Sequence, residues 1–591
     1  MRGGRVHVIG AGPAGLTAAL RLARAGREAV VLEARDRVGG IACTENHGGY
    51  HFDMGGHRFF TKYDEVEEVW RDLLGEDLLV RSRLSRIYYG GRFFDYPLKP
   101  LNAFLGMNPW NSLLILLSYM HRRLRPHPRE ENFAQWVSNR FGDRLFRTFF
   151  KTYTEKVWGI PCTELRAEWA AQRIRDLSLK TALLSMFRDT GRRVRTLVDR
   201  FHYPRRGPGM LWEAARRRVE GQGGQVLLNH PVKRIKRNGN RLTSLVVDAP
   251  GGEEEIGVEE LISTMPVTEL VRRLDPPPPA PVLAAAEGLR FRSFLTVCLI
   301  VDRDRLFPDQ WIYVHDPEVR MGRIQNYKNW SPHMVPDPGR TGLGLEYFCD
   351  RGDELWSMSD ADLVALGRDE LDRMGLVRSA EVLEGHVFRV PAAYPVYDGG
   401  YARRLAVIRN WLAGLAGFQT IGRSGLFRYN NMDHSMVTAF YAVDRLAGRE
   451  RDVWSVNEER EYHEERTRGD GGEEESRLGE ALELVFKRVD RVSLGLSLGI
   501  ILGLLLLLAT LVLVVQGGGP AAPVVGLLAQ FLPGYSVSWS GAVIGLAYGL
   551  LFGYLLGWFA AFLRNAAVFL PLVLVKSQAR RAHMRRFLEY M

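Results

Sequence analysis

Val6-His7-Val8-Ile9-Gly10-Ala11-Gly12-Pro13-Ala14-Gly15, continued by an Ala/Leu-rich run over residues 16–25, decides the fold of this chain. The first four residues read as a short buried strand, the glycines as a tight turn, and the run beyond them as a helix. A second strand, residues 28–32, ends at Glu33, 18 residues past Gly15. Gly10 permits the turn, Gly12 lets a pyrophosphate approach the backbone, and Gly15 lets the helix pack closely on the strand. The helix N-terminus offers N–H groups and partial positive charge to phosphates, and Glu33 is placed to accept hydrogen bonds from a ribose. Strand, turn, helix, second strand and acid stand in register. The unit therefore predicts dinucleotide binding rather than a glycine-rich turn alone.

At 591 residues the chain exceeds one compact domain, so two or three soluble lobes are expected. The four cysteines, Cys43, Cys162, Cys298 and Cys349, show no Cys-x-x-Cys spacing. That argues against a disulfide framework, predicts no metal site, and makes the cytosolic side the natural compartment. The first strand begins within a few residues of Met1, so no signal peptide is expected. A net charge of +11 raises nucleic acid as a partner, but the basic and aromatic residues follow no nucleic-acid module. Part of the excess lies beside apolar segments after residue 480, which favours an anionic membrane surface.

Residues 1 to about 450 alternate strand and helix patterns. Residues 102–120 are apolar but interrupted by Asn108, Pro109, Asn111 and Ser112, and are expected as a buried helix of a second lobe, with a surface-associated helix as the alternative. Residues 225–229, 241–247 and 261–263 are expected as strands returning to the nucleotide domain. Residues 449–477 form a charged, glycine-containing linker, and 478–492 resume an amphipathic helical pattern. Residues 493–515 and 541–563 carry no charge, and each run can cross a hydrocarbon core of about 30 Å. Lys487, Arg488 and Arg491 precede the first run, and Arg564, Lys576, Arg580, Arg581, Arg585 and Arg586 follow the second. The connecting loop has no basic residue, so the positive-inside rule predicts a hairpin with both ends cytoplasmic.

Five further segments carry chemistry. Gly55-Gly56-His57 sets paired glycines, suited to close approach of a planar ring, before a histidine. Lys156-Val157-Trp158 is followed by Trp169 and Arg173. The third segment runs from Arg323 through Asn329-Trp330-Ser331-Pro332, and the fourth is Tyr394-Pro395-Val396-Tyr397. In the fifth, Gly422-Arg423 leads to Tyr429-Asn430-Asn431-Met432-Asp433-His434-Ser435 and a final helix. No nucleophilic triad is evident.

Glu33-Ala34-Arg35-Asp36-Arg37-Val38-Gly39-Gly40 resembles the second half of the fingerprint of the FAD-dependent amine oxidase superfamily. Within that superfamily the five segments resemble the UDP-galactopyranose mutases, most of all the eukaryotic type. The resemblance implies an α/β fold: a Rossmann-like FAD-binding domain, a mixed-sheet substrate domain and a helical lobe, here with the C-terminal transmembrane hairpin. The FAD-binding domain is expected in three segments, 1–95, 201–275 and 401–448. The helical lobe takes 96–200, the mixed sheet 276–400, the linker 449–477, and the amphipathic helix, hairpin and basic tail 478–591.

The resemblance further implies a resident FAD. Its expected contacts are Gly10, Gly12, Gly15, Glu33, Arg37, Gly39, Gly40, Gly55, Gly56, Val232, Gly422, Arg423, Asn431, Met432 and Asp433. His57 is expected to face the flavin. Arg173 and Arg323 are expected to clamp a substrate diphosphate from opposite sides of one pocket, as guanidinium groups bind phosphate bidentately. Trp158, Trp330, Tyr394, Tyr397 and Tyr429 are expected around the substrate. In the mutases, reduced flavin N5 bonds the anomeric carbon, UDP leaves, and the sugar recloses as a furanose without net redox change.

This chain departs from the mutases in two ways. Tyr429 lies closer to Asn431 than in the eukaryotic enzymes, and typical mutases lack a membrane hairpin. A tethered enzyme points to a nucleotide-sugar or lipid-linked substrate and to membrane glycosyltransferase partners. A second resemblance, to protoporphyrinogen oxidases and carotenoid desaturases, shares the same frame. It implies oxidation of an apolar or amine substrate instead.

Overall fold

The computed structural model describes residues 4–96, 107, 109–167, 200–457, 490–517 and 526–589. The chain divides into two units, residues 1–186 with 193–466, and residues 187–192 with 467–591.

In the first unit, β1 (Val6–Ile9) turns through Gly10–Gly12 into α1 (Pro13–Arg24) and returns as β2 (Ala29–Leu32). β3 (Thr44–His47) and β4 (Tyr50–Asp53) pair as a hairpin whose end runs on to Gly55-Gly56-His57. β5 (Leu78–Ser82), β6 (Ser85–Tyr89) and β7 (Arg92–Asp95) follow, then α2 (Pro109–Leu124) and α3 (Thr152–Trp158). β8 (Arg200–Pro204) pairs with β5. β9 (Gln225–Leu227) joins β2, whereas β10 (Val232–Asn238), β11 (Arg241–Ala249) and β12 (Gly252–Gly257) build a separate antiparallel sheet. β13 (Leu261–Ser263) re-enters beside β1, and β14 (Leu274–Asp275) adds to β10.

Five long-range strands then complete the substrate sheet: β15 (Phe291–Val301), β16 (Trp311–Val314), β17 (Arg323–Asn326), β18 (Thr341–Cys349) and β19 (Val382–Pro395). β20 (Phe418–Thr420) returns to β13 and leads to α4 (Met432–Leu446).

The nucleotide sheet is all parallel, in the order β20-β13-β1-β2-β9. Its central strands are buried on both faces, which is why they read as continuous apolar runs rather than alternating ones. The larger sheet is mixed, in the order β19-β15-β18-β17-β16-β6-β7. β6 and β7 thus belong to the substrate sheet, although they fall inside the 1–95 segment expected in the nucleotide domain. β11 pairs with β10 and β12 in the four-stranded sheet, and its Leu242, Leu245 and Val247 share one core with Ile9, Val30 and Leu32 of the nucleotide strands, as expected of a strand returning to that domain. α2 is not wholly buried. Ile115 and Tyr119 pack inward, while Trp110, Leu117, Met120 and Leu124 face solvent.

The second unit contains α5 (Arg491–Val515) and α6 (Trp539–Glu589), each with a stretch long and apolar enough to cross a membrane. α6 continues without a break through residues 565–575. The helices pack antiparallel through glycine. A Cβ at Gly549 would meet Gly503 Cα at 2.5 Å, one at Gly553 would meet Gly499 Cα at 2.6 Å, and one at Gly557 would meet Gly495 Cα at 2.9 Å. This spacing of four on both helices brings the backbones into contact, as small-residue helix pairs do in lipid. The Thr510 and Tyr535 hydroxyls meet at 2.6 Å and tie the connecting loop back onto α5. The expected linker and amphipathic helix fall largely outside the described residues.

Candidate active site

The glycines of the opening motif are required sterically. Gly10 has φ +95°, and a Cβ at Gly15 would meet the Gly10 carbonyl oxygen at 1.8 Å. Gly12 faces Gly40, with 3.6 Å from its would-be Cβ to Gly40 Cα, and Gly39 N–H donates to Ala11 O at 2.8 Å. The two halves of the fingerprint are folded onto each other. Gly12 caps α1 without a side-chain hydrogen bond, which leaves the first N–H groups of the helix to a ligand. Glu33 accepts from Ala11 N–H at 2.6 Å and from Arg35 N–H at 3.0 Å, so its carboxylate holds the glycine turn.

α4 runs parallel to α1. Arg21 of α1 pairs with Asp444 at 3.0 Å and lies over the Phe440 ring, while a Cβ at Gly422 would meet Ala14 Cβ at 2.9 Å. Asn431 caps α4 from an exposed position, Met432 is buried, and Asp433 is buried with one carboxylate oxygen lacking a hydrogen-bond partner. Burial raises the Asp433 carboxyl, against the His434 ring and the Thr61 hydroxyl. Uncapped helix N–H groups and this orphaned acceptor are what a flavin dinucleotide requires; the residues fit FAD.

Gly55-Gly56-His57 lies where the β4 hairpin meets the substrate sheet. His57 Nδ1 is 3.2 Å from Gly55 O. Burial, then the charges of Arg423 and Arg323, depress the His57 imidazole to about 4, so it is neutral near pH 7. Arg323 of β17 pairs with Glu346 of β18 at 2.6 Å and donates to Tyr394 Oη at 2.7 Å. Glu346 is fully buried and also accepts from Gln325 Nε2 at 2.8 Å. Burial works against the Arg323 charge, but Glu346 and the surrounding tyrosine oxygens outweigh it and hold the guanidinium protonated.

Tyr394 stacks on Tyr429 with ring centroids 5.6 Å apart, and Arg423 lies over the Tyr429 ring at 4.1 Å. Tyr397 Oη accepts from Tyr429 N–H at 2.7 Å. Trp158 packs against all three tyrosines at 6.0–6.2 Å. Beside them, the Tyr153 hydroxyl feels the Arg323 charge, although burial raises its pKa overall. Lys156 donates to the Val314, Asp316 and Met321 carbonyls, which makes it a clamp on that loop.

The structure thus brings His57, Arg323, Arg423, Trp158, Tyr394, Tyr397 and Tyr429 together. Arg173 lies outside the described residues. Trp330 is a correction: it is buried in a core of Trp311, Phe201 and Tyr203, and its indole donates to Gln310 O at 3.0 Å. It backs the Gly56 turn instead of walling a pocket. Arg37 pairs with Asp36 at 2.8 Å and with Glu45. Val232 is buried at the start of β10, where its carbonyl accepts from Arg273. Sequence reasoning passed over Glu346 and Gln325, although an acid inside the apolar run of β18 was a visible signal.

A family model described as flavin-containing amine oxidoreductase matches residues 13–412. The chain belongs to this family. It is an FAD-dependent enzyme of the amine oxidase type. Among curated family relatives, 15-cis-phytoene desaturase of Synechococcus elongatus is 26% identical over 402 residues, 63% of this chain and 80% of that protein. The putative flavin-containing monoamine oxidase AofH of Mycobacterium tuberculosis is 26% identical over 291 residues, 46% of this chain and 60% of its own. Reduced UDP-galactopyranose mutase superposes with a TM-score of 0.68 at 22% identity, over 77% of this chain and 97% of that one. A putative protoporphyrinogen oxidase from Exiguobacterium sp. 255-15 gives 0.59 at 20% identity, over 76% and 100%. The shared fold is that of the family.

Proposed function

We propose that this family member is a membrane-tethered, mutase-like enzyme that interconverts the pyranose and furanose forms of a nucleotide-linked or lipid-linked sugar. The observation that carries the reading is the polar wall beside Gly55-Gly56-His57: Arg323, Arg423, Tyr394 and Tyr429 are gathered there, where an apolar polyene would need aliphatic side chains. FAD bound in its reduced form supplies a nucleophilic nitrogen for an anomeric carbon. The chain's own residues do the rest. Arg323, fixed by Glu346, and Arg423 present positive charge to a diphosphate, and Tyr394 and Tyr429 offer hydroxyl donors. Arg173 is proposed as a second phosphate ligand on the strength of the family resemblance. Neutral His57 orients a ring without adding charge. Trp158 excludes water from the tyrosine side.

The hairpin supports placement in the cytoplasmic membrane with catalytic unit and both ends cytoplasmic, beside membrane glycosyltransferases. The test is incubation of dithionite-reduced protein with UDP-galactopyranose and chromatography for the furanose. Furanose formed only under reduction supports the proposal. No furanose, with oxygen- or quinone-dependent turnover of an apolar polyene or amine, replaces it with the oxidoreductase reading. That second reading draws on the likeness to the cyanobacterial desaturase.

A further inference from the structure

His47 of β3 and Glu384 and His386 of β19 lie outside the site described above. Their ligand atoms converge to within 4.8 Å of one another. His47 Nε2 and His386 Nε2 each stand 3.0 Å from the same Glu384 oxygen, Oε1. The ring centroids of the two histidines are 3.3 Å apart, with planes tilted by 41°. Zinc–ligand bonds of about 2.0–2.2 Å in a tetrahedron separate ligand atoms by about 3.3 Å, so a small opening of this cluster accommodates the ion.

We infer that His47, Glu384 and His386 form a site for a divalent zinc-class cation, three protein ligands with at least one position left to water. Two imidazole nitrogens and one carboxylate oxygen suit zinc over magnesium, which favours all-oxygen shells. The ligands come from strands 337 residues apart in sequence, so the ion would close a very long loop. Its position explains what it would hold. β19 is an edge strand of the substrate sheet and carries Tyr394 beside its last residue, Pro395, while β4, hairpin partner of β3, runs on to Gly55-Gly56-His57. The ion would pin the turn end of the β3–β4 hairpin to the first part of β19, and the strands leaving those two points, β4 and β19, lead to site residues.

The test uses untagged, full-length, flavin-loaded protein dialysed against zinc and then against metal-free buffer, with bound metal measured by mass spectrometry. About one equivalent of zinc is expected in the wild type. His47→Ala, His386→Ala and Glu384→Gln should each weaken retention by roughly tenfold or more. The flavin spectrum of each variant shows whether it is folded. Zinc should also raise the unfolding temperature of the wild type but not of the triple variant. Equal zinc retention by wild type and a flavin-loaded triple variant overturns the site, as does the absence of bound zinc in the wild type.

Discussion

Glu346 organises the substrate side of the site although it touches solvent nowhere. It fixes Arg323, which in turn fixes Tyr394. Removing one member of such a buried pair strands the other charge. Arg323→Ala is therefore expected to cost about 3–5 kcal/mol of stability, read from denaturant unfolding. The double variant Arg323→Met/Glu346→Leu should recover most of that loss while remaining inactive, which separates charge burial from phosphate binding. A double variant no more stable than Arg323→Ala would mean that the pair is not energetically coupled.

Asp53 poses a different electrostatic problem. Burial lifts its carboxyl to about 7, against donors from Tyr203 and Thr44. Its folded value thus exceeds an unfolded value of about 4, so the folded chain keeps a proton that the unfolded chain has lost. Stability from this group is full below about pH 4 and declines until about pH 7. Asp53→Asn should flatten that decline, measured as a smaller difference between urea midpoints at the two ends of the window. Glu346 was legible as a lone acid in an apolar strand, but its partner was not. Nothing in local sequence says that Arg323 and Glu346 face each other across β17 and β18.

Among elements, the nucleotide unit was the most legible, because turn, helix and strands lie within 30 residues and each glycine has a local reason. Gly15→Ala is expected to abolish flavin retention, checked by the absorbance of purified protein, since its Cβ would overlap the Gly10 carbonyl. The hairpin helices were legible from length and hydropathy alone. Their glycine register was present in the sequence yet unread, since the apolar runs drew attention to composition rather than spacing. Gly549→Leu should splay α5 from α6, seen as faster amide exchange in both helices in detergent micelles with exchange in the first unit unchanged. β6 and β7 were misplaced for one reason. Their partners are chosen by sheet pairing, and alternation does not specify a partner.

At the scale of the whole molecule, the site is assembled from segments near residues 55, 158, 323, 394 and 425, so only the fold brings them together. The motifs were readable individually, and their convergence was not. The division into two units predicts that a chain ending at residue 466 remains folded, flavin-loaded and free of membranes. Sedimentation and the flavin spectrum check this. If the natural substrate is lipid-linked, the truncated enzyme should keep turnover of a water-soluble analogue and lose most turnover of substrate embedded in vesicles.

The hairpin also bears on how many neighbours this enzyme recruits. Small-residue stripes are a common means by which membrane helices find other helices. Here the stripes at Gly495, Gly499 and Gly503 and at Gly549, Gly553 and Gly557 are turned onto each other. The outward faces carry many bulky side chains, among them Leu496, Leu505, Leu508, Phe552, Leu555 and Phe559. The hairpin is in this sense saturated, a float rather than a coupler. Any assembly with other membrane enzymes would then be selected elsewhere on the chain, and lateral diffusion would govern how often it meets them.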